Sequence, residues 1–520
     1  DRIPAGYTYL GQFIVHDLNF DVHTHTDVED YPGVNLNMRT PPLDLDSVYG
    51  QGPIGTPIYF DQRPEKNFGR THFLIDELGV VNSEKTIKEI DLPRISHAEG
   101  IDVPIIPDIR NDEHIILSQL HAAVLSFHNN AVDKRIKKDG KEQINDNRTT
   151  SHGISHQRFF RLFKSQNTSQ RKESTEGKKE NTSNKATPVI HNSDINYYDT
   201  VFRDVRKEVK RHFQWVVVYD YLPKIVGREL VEEIIKPYQE NKKDTCMNLK
   251  YYTRKQRPYI PHEFSVAAFR FGHSMVRRQY LFKEGSSPKN LFAVKKPFQK
   301  LKKPLLDWNL FFKPQKEAVS NKSLLINPAI AGNMLNDIPD KSANKSITFR
   351  NILRGFQYRL PSGQSIAREM GTPIVNYLVA KKEIPNELDE YKKHFISAMK
   401  EVVSESDAEA LFIDFFNNSP LWYYILLEAS IYGKAKNKKA RGTRLGPLGG
   451  RIVAEVLLGI LDTDPDLFLK ESNWQPKYFM DIANKKRSKD LKARAKNKKV
   501  LEKGDDSMIE FLKFAGVYDE

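Results

Sequence analysis

The side chains best able to do chemistry fall in five short segments. In Gly11-Gln12-Phe13-Ile14-Val15-His16-Asp17-Leu18, Gln12 and His16 are four residues apart and share one helix face. Asp17 lies about a third of a turn round, so it can serve a different site. The loop Arg39-Thr40-Pro41-Pro42-Leu43-Asp44-Leu45-Asp46 sets two carboxylates two residues apart, able to point the same way. Thr40 adds a hydroxyl and a carbonyl, and Asp17 completes an all-oxygen set of the kind a hard cation such as calcium takes. Alone, Asp-x-Asp in a loop is usually turn chemistry. In Arg110-Asn111-Asp112-Glu113-His114, Arg110 and Glu113 are three apart and face one way, which alone reads as an exposed ion pair worth little.

The fourth segment is Ala267-Ala268-Phe269-Arg270-Phe271-Gly272-His273-Ser274, where Arg270 and His273 share a face and Gly272 leaves room beside the histidine for something bulky. A neutral imidazole is a standard axial ligand for haem iron, and a nearby arginine can neutralise a haem propionate. The fifth is Asn351-Ile352-Leu353-Arg354. An amide that accepts the ring N–H of a ligating histidine fixes its tautomer and raises its basicity. A lone histidine is more often a satisfied core or surface residue, so no segment decides the matter by itself.

Helices must position these groups. From Asn111, Leu117, Leu120, Val124 and Phe127 recur at three- and four-residue steps and predict a long helix. Residues 201–226, 263–280 and 447–461 behave similarly, while alternating strands are scarce, so a mainly α fold with a few short strands and long loops is expected. Segments 41–53 and 102–107 read as ordered Pro-rich connections. The 520 residues are expected to form a single domain, interrupted by a polar, aperiodic insertion at 165–187 and a Lys-rich stretch at 484–499. One cysteine, Cys246, excludes an intrachain disulfide and cysteine-built zinc or iron–sulfur sites. The net charge of +14 sits largely in lysine runs without interleaved aromatics, which points to a solvated surface and no specific nucleic-acid partner. No apolar run reaches the ~18 residues of a membrane span. The chain opens at Asp1 with no signal-like segment, as a fragment or processed form would, and its address stays unknown.

Taken together, in this order and at these spacings, the five segments resemble the animal-type haem peroxidases of the peroxidase–cyclooxygenase superfamily, in look nearest to bacterial members. The resemblance runs from residues 3–10 to 511–517 and takes in 121–133, 213–227 and 446–458. It implies a helical domain that clamps haem b between distal and proximal helices and reduces hydrogen peroxide at the expense of a small organic or halide donor. His16 would be the distal base, Gln12 its pocket neighbour and Arg110 the distal arginine. His273 would ligate the iron, Asn351 would orient it, and Arg270 with Arg354 would hold propionates. Asp17, Thr40, Asp44 and Asp46 match calcium-ligand positions, and Glu113 matches a glutamate that can become ester-linked to the haem.

Two departures matter. Val15 stands where the family often has an ester-forming aspartate, and His114 stands where myeloperoxidase has its sulfonium-forming methionine. At most one ester, through Glu113, is therefore expected, with a weaker oxidant than in chloride-oxidising members. The superfamily also contains fatty-acid dioxygenases, and a non-catalytic haem- or calcium-binding module is a further alternative. Cyclooxygenases carry a tyrosine three residues before the proximal histidine, where this chain has Arg270. The His23-x-His25 pair with Asp21 and Asp27 reads as a solvated loop rather than a transition-metal site.

Overall fold

The computed structural model describes residues 2–20, 37, 39, 42–63, 66–67, 69–78, 87–97, 100–146, 192–240, 246–255, 257–301, 306–313, 320–332, 346–434, 440–480 and 506–518, with 141–146 and 192–193 as backbone only. Thr40, the His23/His25 segment, the 165–187 insertion and the 484–499 stretch lie outside the described residues.

Helix α1 (Gly6–Leu18) is apolar on almost every side, and Tyr7, Tyr9, Leu10, Phe13, Ile14 and Leu18 are all buried. Burying such side chains stabilises by roughly 1.5–3 kcal/mol each, so α1 is a core helix. Gly11 permits this, because a Cβ there would lie 2.5 Å from the Tyr221 hydroxyl oxygen. Any polar side chain on α1 must consequently find a protein partner or line a cavity.

The long helix α2 (Ile115–Asp146) starts later than its apolar stripe suggested. The residues before it form a tight 3-10 turn, Ile109–Asp112, capped by Asp108, whose side chain accepts the Arg110 backbone N–H. Helix α3 (Asn192–Val216) runs on through a widened π segment, Val217–Tyr221, into Leu222–Val226. Pro223 has no N–H with which to close a regular turn there. The stretch 263–280 is likewise not one α-helix. It is a π turn, Glu263–Ala267, followed by a 3-10 helix, Ala268–Met275, and the backbone is extended at Val276.

Beyond these lie α4 (Ile347–Gln357), four further helices within 363–417, α5 (Leu421–Tyr432), α6 (Pro447–Asp462) and α7 (Ser507–Ala515). Among the described residues the strands are two short antiparallel pairs, β1 (Asp76–Glu77) with β2 (Ile90–Asp91) and β3 (Arg94–Ser96) with β4 (Asp102–Pro104). Helix α1 packs on α2 and on the 268–275 helix, while α5 packs on the opposite partners α4 and α6 and on the 268–275 helix too. The architecture is mainly α, as expected. Among the described residues no helix is long and apolar enough to cross a membrane.

Candidate active site

On α1, Gln12 and His16 do share a face, and the 109–112 turn meets it. His16 is buried, and its Nδ1 lies 2.9 Å from Asn111 Oδ1. An amide oxygen only accepts, so His16 carries its proton on Nδ1 and presents the Nε2 lone pair. Burial, followed by the positive charge of Arg110, pushes His16 down to about 4, so the ring is a neutral base at neutral pH. Asn111 Nδ2 in turn donates to His121 Nδ1 at 3.1 Å. Asn111, fully buried between two histidines, was not singled out by the sequence patterns although it lies inside a quoted segment. Its only signal is the register Arg110-Asn111.

Arg110 does not pair with Glu113. Its Nε and Nη2 donate to Asp108 at 3.0 and 2.7 Å, and Nη2 also reaches the carbonyls of His16 (3.0 Å) and Asn19 (2.9 Å). The guanidinium thus caps the C-terminal end of α1, where carbonyls lack intrahelical partners. The guanidinium is claimed by Asp108 and the α1 carbonyls, and the Glu113 carboxylate by Gln12. Burial alone would raise Asp108, but hydrogen bonds and charge from Arg110, with His16 and Arg39, hold it at about 2. Glu113 instead accepts from Gln12 Nε2 at 3.0 Å, and Gln12 Oε1 accepts from His114 Nε2 at 3.2 Å. Behind the turn, buried Asp112 is gripped by Arg94 (2.6 and 2.8 Å) and Lys295 (2.7 Å). That charge cluster fixes the segment carrying Arg110, Asn111 and Glu113. Val15, half-buried, offers no carboxylate.

On the facing 268–275 helix, three residues make a turn, so Arg270 and His273 lie one above the other. Trp422 on α5 donates to the Arg270 carbonyl at 3.1 Å and ties down the backbone. Asn351, the one buried residue of α4, lies 2.9 Å from His273 through its Nδ2. Its Oδ1 accepts from Arg270 Nη1 at 3.2 Å. The amide was expected to accept from the ring. Here the NH2 group faces His273 Nδ1 and the oxygen faces Arg270, which has only donors. Burial, then Arg270 and Arg350, push His273 down to about 3 and leave it neutral. Arg354 sits over the Tyr358 ring, 5.4 Å from its centre.

Would these residues fit a haem? Beside His273, an added Cβ at Gly272 would meet nothing within 4 Å, and the same holds for Gly355 on α4. Open space flanking a neutral, half-buried imidazole, with the charges of Arg270 and Arg350 acting on that ring, suits a flat, dianionic macrocycle. The donor set fits.

About a third of a turn round α1 from His16 the structure gathers Asp17, Asp44 and Asp46, whose carboxylate oxygens lie within 4.8 Å of one another. Leu43 and Leu45 take left-handed backbone conformations (φ 53° and 61°) while their side chains are fully buried. That strained alternation turns Asp44 and Asp46 away from the core together. Asp17 Oδ1 accepts from Ser47 N (3.1 Å) and Oγ (2.7 Å), and Oδ2 from Leu45 N (3.0 Å). Burial and then the charges of Asp46 and Asp44 raise Asp17 to about 7, the mark of carboxylates crowded around a place suited to a cation. Arg39 and Arg206 approach from outside, at 3.7 Å from Asp46 and 3.9 Å from Asp44.

Comparison with known proteins bears on the same site. Thyroid peroxidase of Sus scrofa is 37% identical over 78 residues, 15% of this chain and 7% of that protein. Peroxidasin homolog pxn-2 of Caenorhabditis elegans is 28% identical over 184 residues, 32% of this chain and 12% of that protein. The matches thus span only a small part of these relatives. Among solved structures, Peroxidase A from Dictyostelium discoideum is similar with a TM-score of 0.47 at 12% identity, over 97% of this chain and 85% of that one. A fatty acid alpha-dioxygenase of Arabidopsis thaliana gives 0.47 at 11%, over 90% and 68%. Residues 191–348, which include Arg270 and His273, match the family model of animal haem peroxidase. Over that stretch the chain is similar to the animal haem peroxidase family.

Proposed function

We propose that this protein is a haem-dependent peroxidase that reduces hydrogen peroxide and oxidises a small organic or halide donor. The observation that carries the reading is the buried, neutral His16, locked by Asn111 with its Nε2 lone pair available, on a helix packed against the one that bears His273. His273 would hold haem b, with Arg270 and Arg354 at its propionates, and the bound haem would supply the redox chemistry.

The chain's own groups do the rest. His16 Nε2 takes a proton from one oxygen of hydrogen peroxide and delivers it to the other, which leaves as water. Asn111 keeps the ring turned for that transfer, much as an outer partner fixes any working imidazole. Arg110 lays positive charge next to His16 and stabilises negative charge on the separating oxygens, an effect typically worth a few kcal/mol in a water-poor site. Gln12 holds Glu113, so any covalent attachment of the haem runs through Glu113, since Val15 cannot form an ester. Calcium would be bound by Asp17, Asp44 and Asp46 with Thr40, fixing the C-terminal end of α1 that carries His16.

The test is steady-state turnover of the haem-loaded protein across phenols and halides with hydrogen peroxide. Saturable, peroxide-dependent oxidation of at least one donor is expected. Oxygen uptake with an unsaturated fatty acid, and no such turnover, would replace this reading with a dioxygenase.

A further inference from the structure

His121 occupies a position on α2 where packing calls for an apolar side chain. It lies four residues after Leu117 and three before Val124, on one helix face, and all three are buried. The Phe13 ring of α1 meets it edge-on, 6.2 Å between ring centres. Its Nε2 has no hydrogen-bond partner among the described residues, and an imidazole nitrogen left so in the core costs free energy that a leucine would not. Burial pushes the ring down to about 4, so it is neutral and one nitrogen can accept. That nitrogen is Nδ1, 3.1 Å from Asn111 Nδ2. At the other end of the same amide, Oδ1 lies 2.9 Å from His16 Nδ1. The Asn111 backbone is pinned, its N–H donating to the Asp108 carbonyl at 3.0 Å. The side chain is fully buried, so the direction of the amide rests on what its two ends meet. Turned end for end, it would offer NH2 to His16 Nδ1 and force the His16 proton onto Nε2, the atom that must be bare.

We propose that His121 is a positioning residue for the base His16. Its Nδ1 accepts the Asn111 NH2 group, which leaves the amide oxygen for His16 Nδ1–H and the His16 Nε2 lone pair for peroxide. The inference rests on the peroxidase reading of this site and extends it: the base is set by a chain of three side chains, drawn from α1, the 109–112 turn and α2. His121 acts on the reaction through Asn111 alone.

The experiment sets His121→Leu against His121→Asn. Leucine fills the buried site but accepts nothing. Asparagine is smaller, leaves a void, and puts a carbonyl oxygen near the place of Nδ1. A packing role ranks leucine above asparagine, and a positioning role reverses the order. When the haem-loaded full chain is mixed with hydrogen peroxide in stopped flow, His121→Leu is expected to lose about fivefold in second-order rate, roughly what one hydrogen bond is worth, and His121→Asn to recover most of it. The 15N ring shifts of the full chain without haem, at neutral pH, read the His16 tautomer independently. Nδ1–H is expected in the native chain and in His121→Asn, and a mixture of tautomers in His121→Leu. A native His16 protonated on Nε2, a His121→Leu that reacts at the native rate, or a His121→Asn no faster than His121→Leu overturns the proposal. If the shifts rank as expected and no form reacts with peroxide, the fault lies with the peroxidase reading, and the role of His121 in turnover falls with it.

Discussion

Replacing Asn111 by aspartate changes one atom of the side chain and places a negative charge against His16 Nδ1, where the amide oxygen now sits at 2.9 Å. In the native protein burial and Arg110 hold His16 at about 4. A base with that value loses function only below about pH 4, since protonation removes the Nε2 lone pair. An opposite charge within hydrogen-bond range favours the imidazolium and raises a histidine by about 1–3 units, so His16 should move to about 5–7. Each unit corresponds to about 1.36 kcal/mol between the protonation states. The acid limb of kcat/KM for peroxide, which reports the free enzyme, should rise by the same amount. His121 Nδ1 faces the other side of Asn111 at 3.1 Å and could take the charge instead. For that reason 15N NMR titration of both rings belongs beside the kinetics. A native His16 that titrates near 6.5, or an acid limb that does not move in Asn111→Asp, would refute the reasoning.

Other consequences concern stability and the cation. Glu428 is buried and accepts from Leu448 N (2.8 Å) and Gly449 N (3.1 Å) at the start of α6, and burial raises it to about 7 despite those bonds. A carboxyl raised in the folded state binds its proton more tightly there, so stability should fall as pH rises from about 4.5 to 7, by on the order of 3 kcal/mol. Melting curves at pH 5 and pH 8 should therefore differ less in Glu428→Gln; an unchanged difference would assign the pH dependence elsewhere. Lys295→Met leaves buried Asp112 with Arg94 as its only cation, beside the Phe298 N–H, and should destabilise by about 3–5 kcal/mol, with Lys295→Met/Asp112→Asn recovering part of the loss in urea unfolding. Calcium at millimolar concentration should raise the Tm of the native chain, and Asp46→Asn, which breaks the three-carboxylate cluster, should abolish most of that rise.

The parts of the site that could be read in the sequence are those set by helix period and loop alternation. Gln12 and His16 meet the same neighbours because four residues make about one helical turn. Asp44 and Asp46 converge on Asp17 because the intervening Leu43 and Leu45 are driven into the core. That Arg110 and Glu113 go to separate partners was not legible from their spacing, because the guanidinium is claimed by Asp108, two residues upstream, and by α1 carbonyls, and the carboxylate by Gln12. Nothing in the local pattern could have told that Asn351 would present its NH2 to His273, since that depends on Arg270 arriving from another element. The charge cluster of Asp91, Arg94, Asp112 and Lys295 is invisible for the same reason: its members are up to some two hundred residues apart, and only tertiary packing brings them together. The π segments at 217–221 and 263–267 shift helix register by a residue, which a regular apolar stripe does not report.

The central claim, that His16 is the base serving a haem held by His273, is tested most directly by stopped-flow absorbance of the haem-loaded protein mixed with hydrogen peroxide. A fast, peroxide-dependent Soret change is expected for the native chain. In His16→Ala the second-order rate should drop by about 10²–10⁴-fold, the usual contribution of a positioned general acid–base. A variant that reacts at the native rate, or a native protein with no Soret change, would contradict the account.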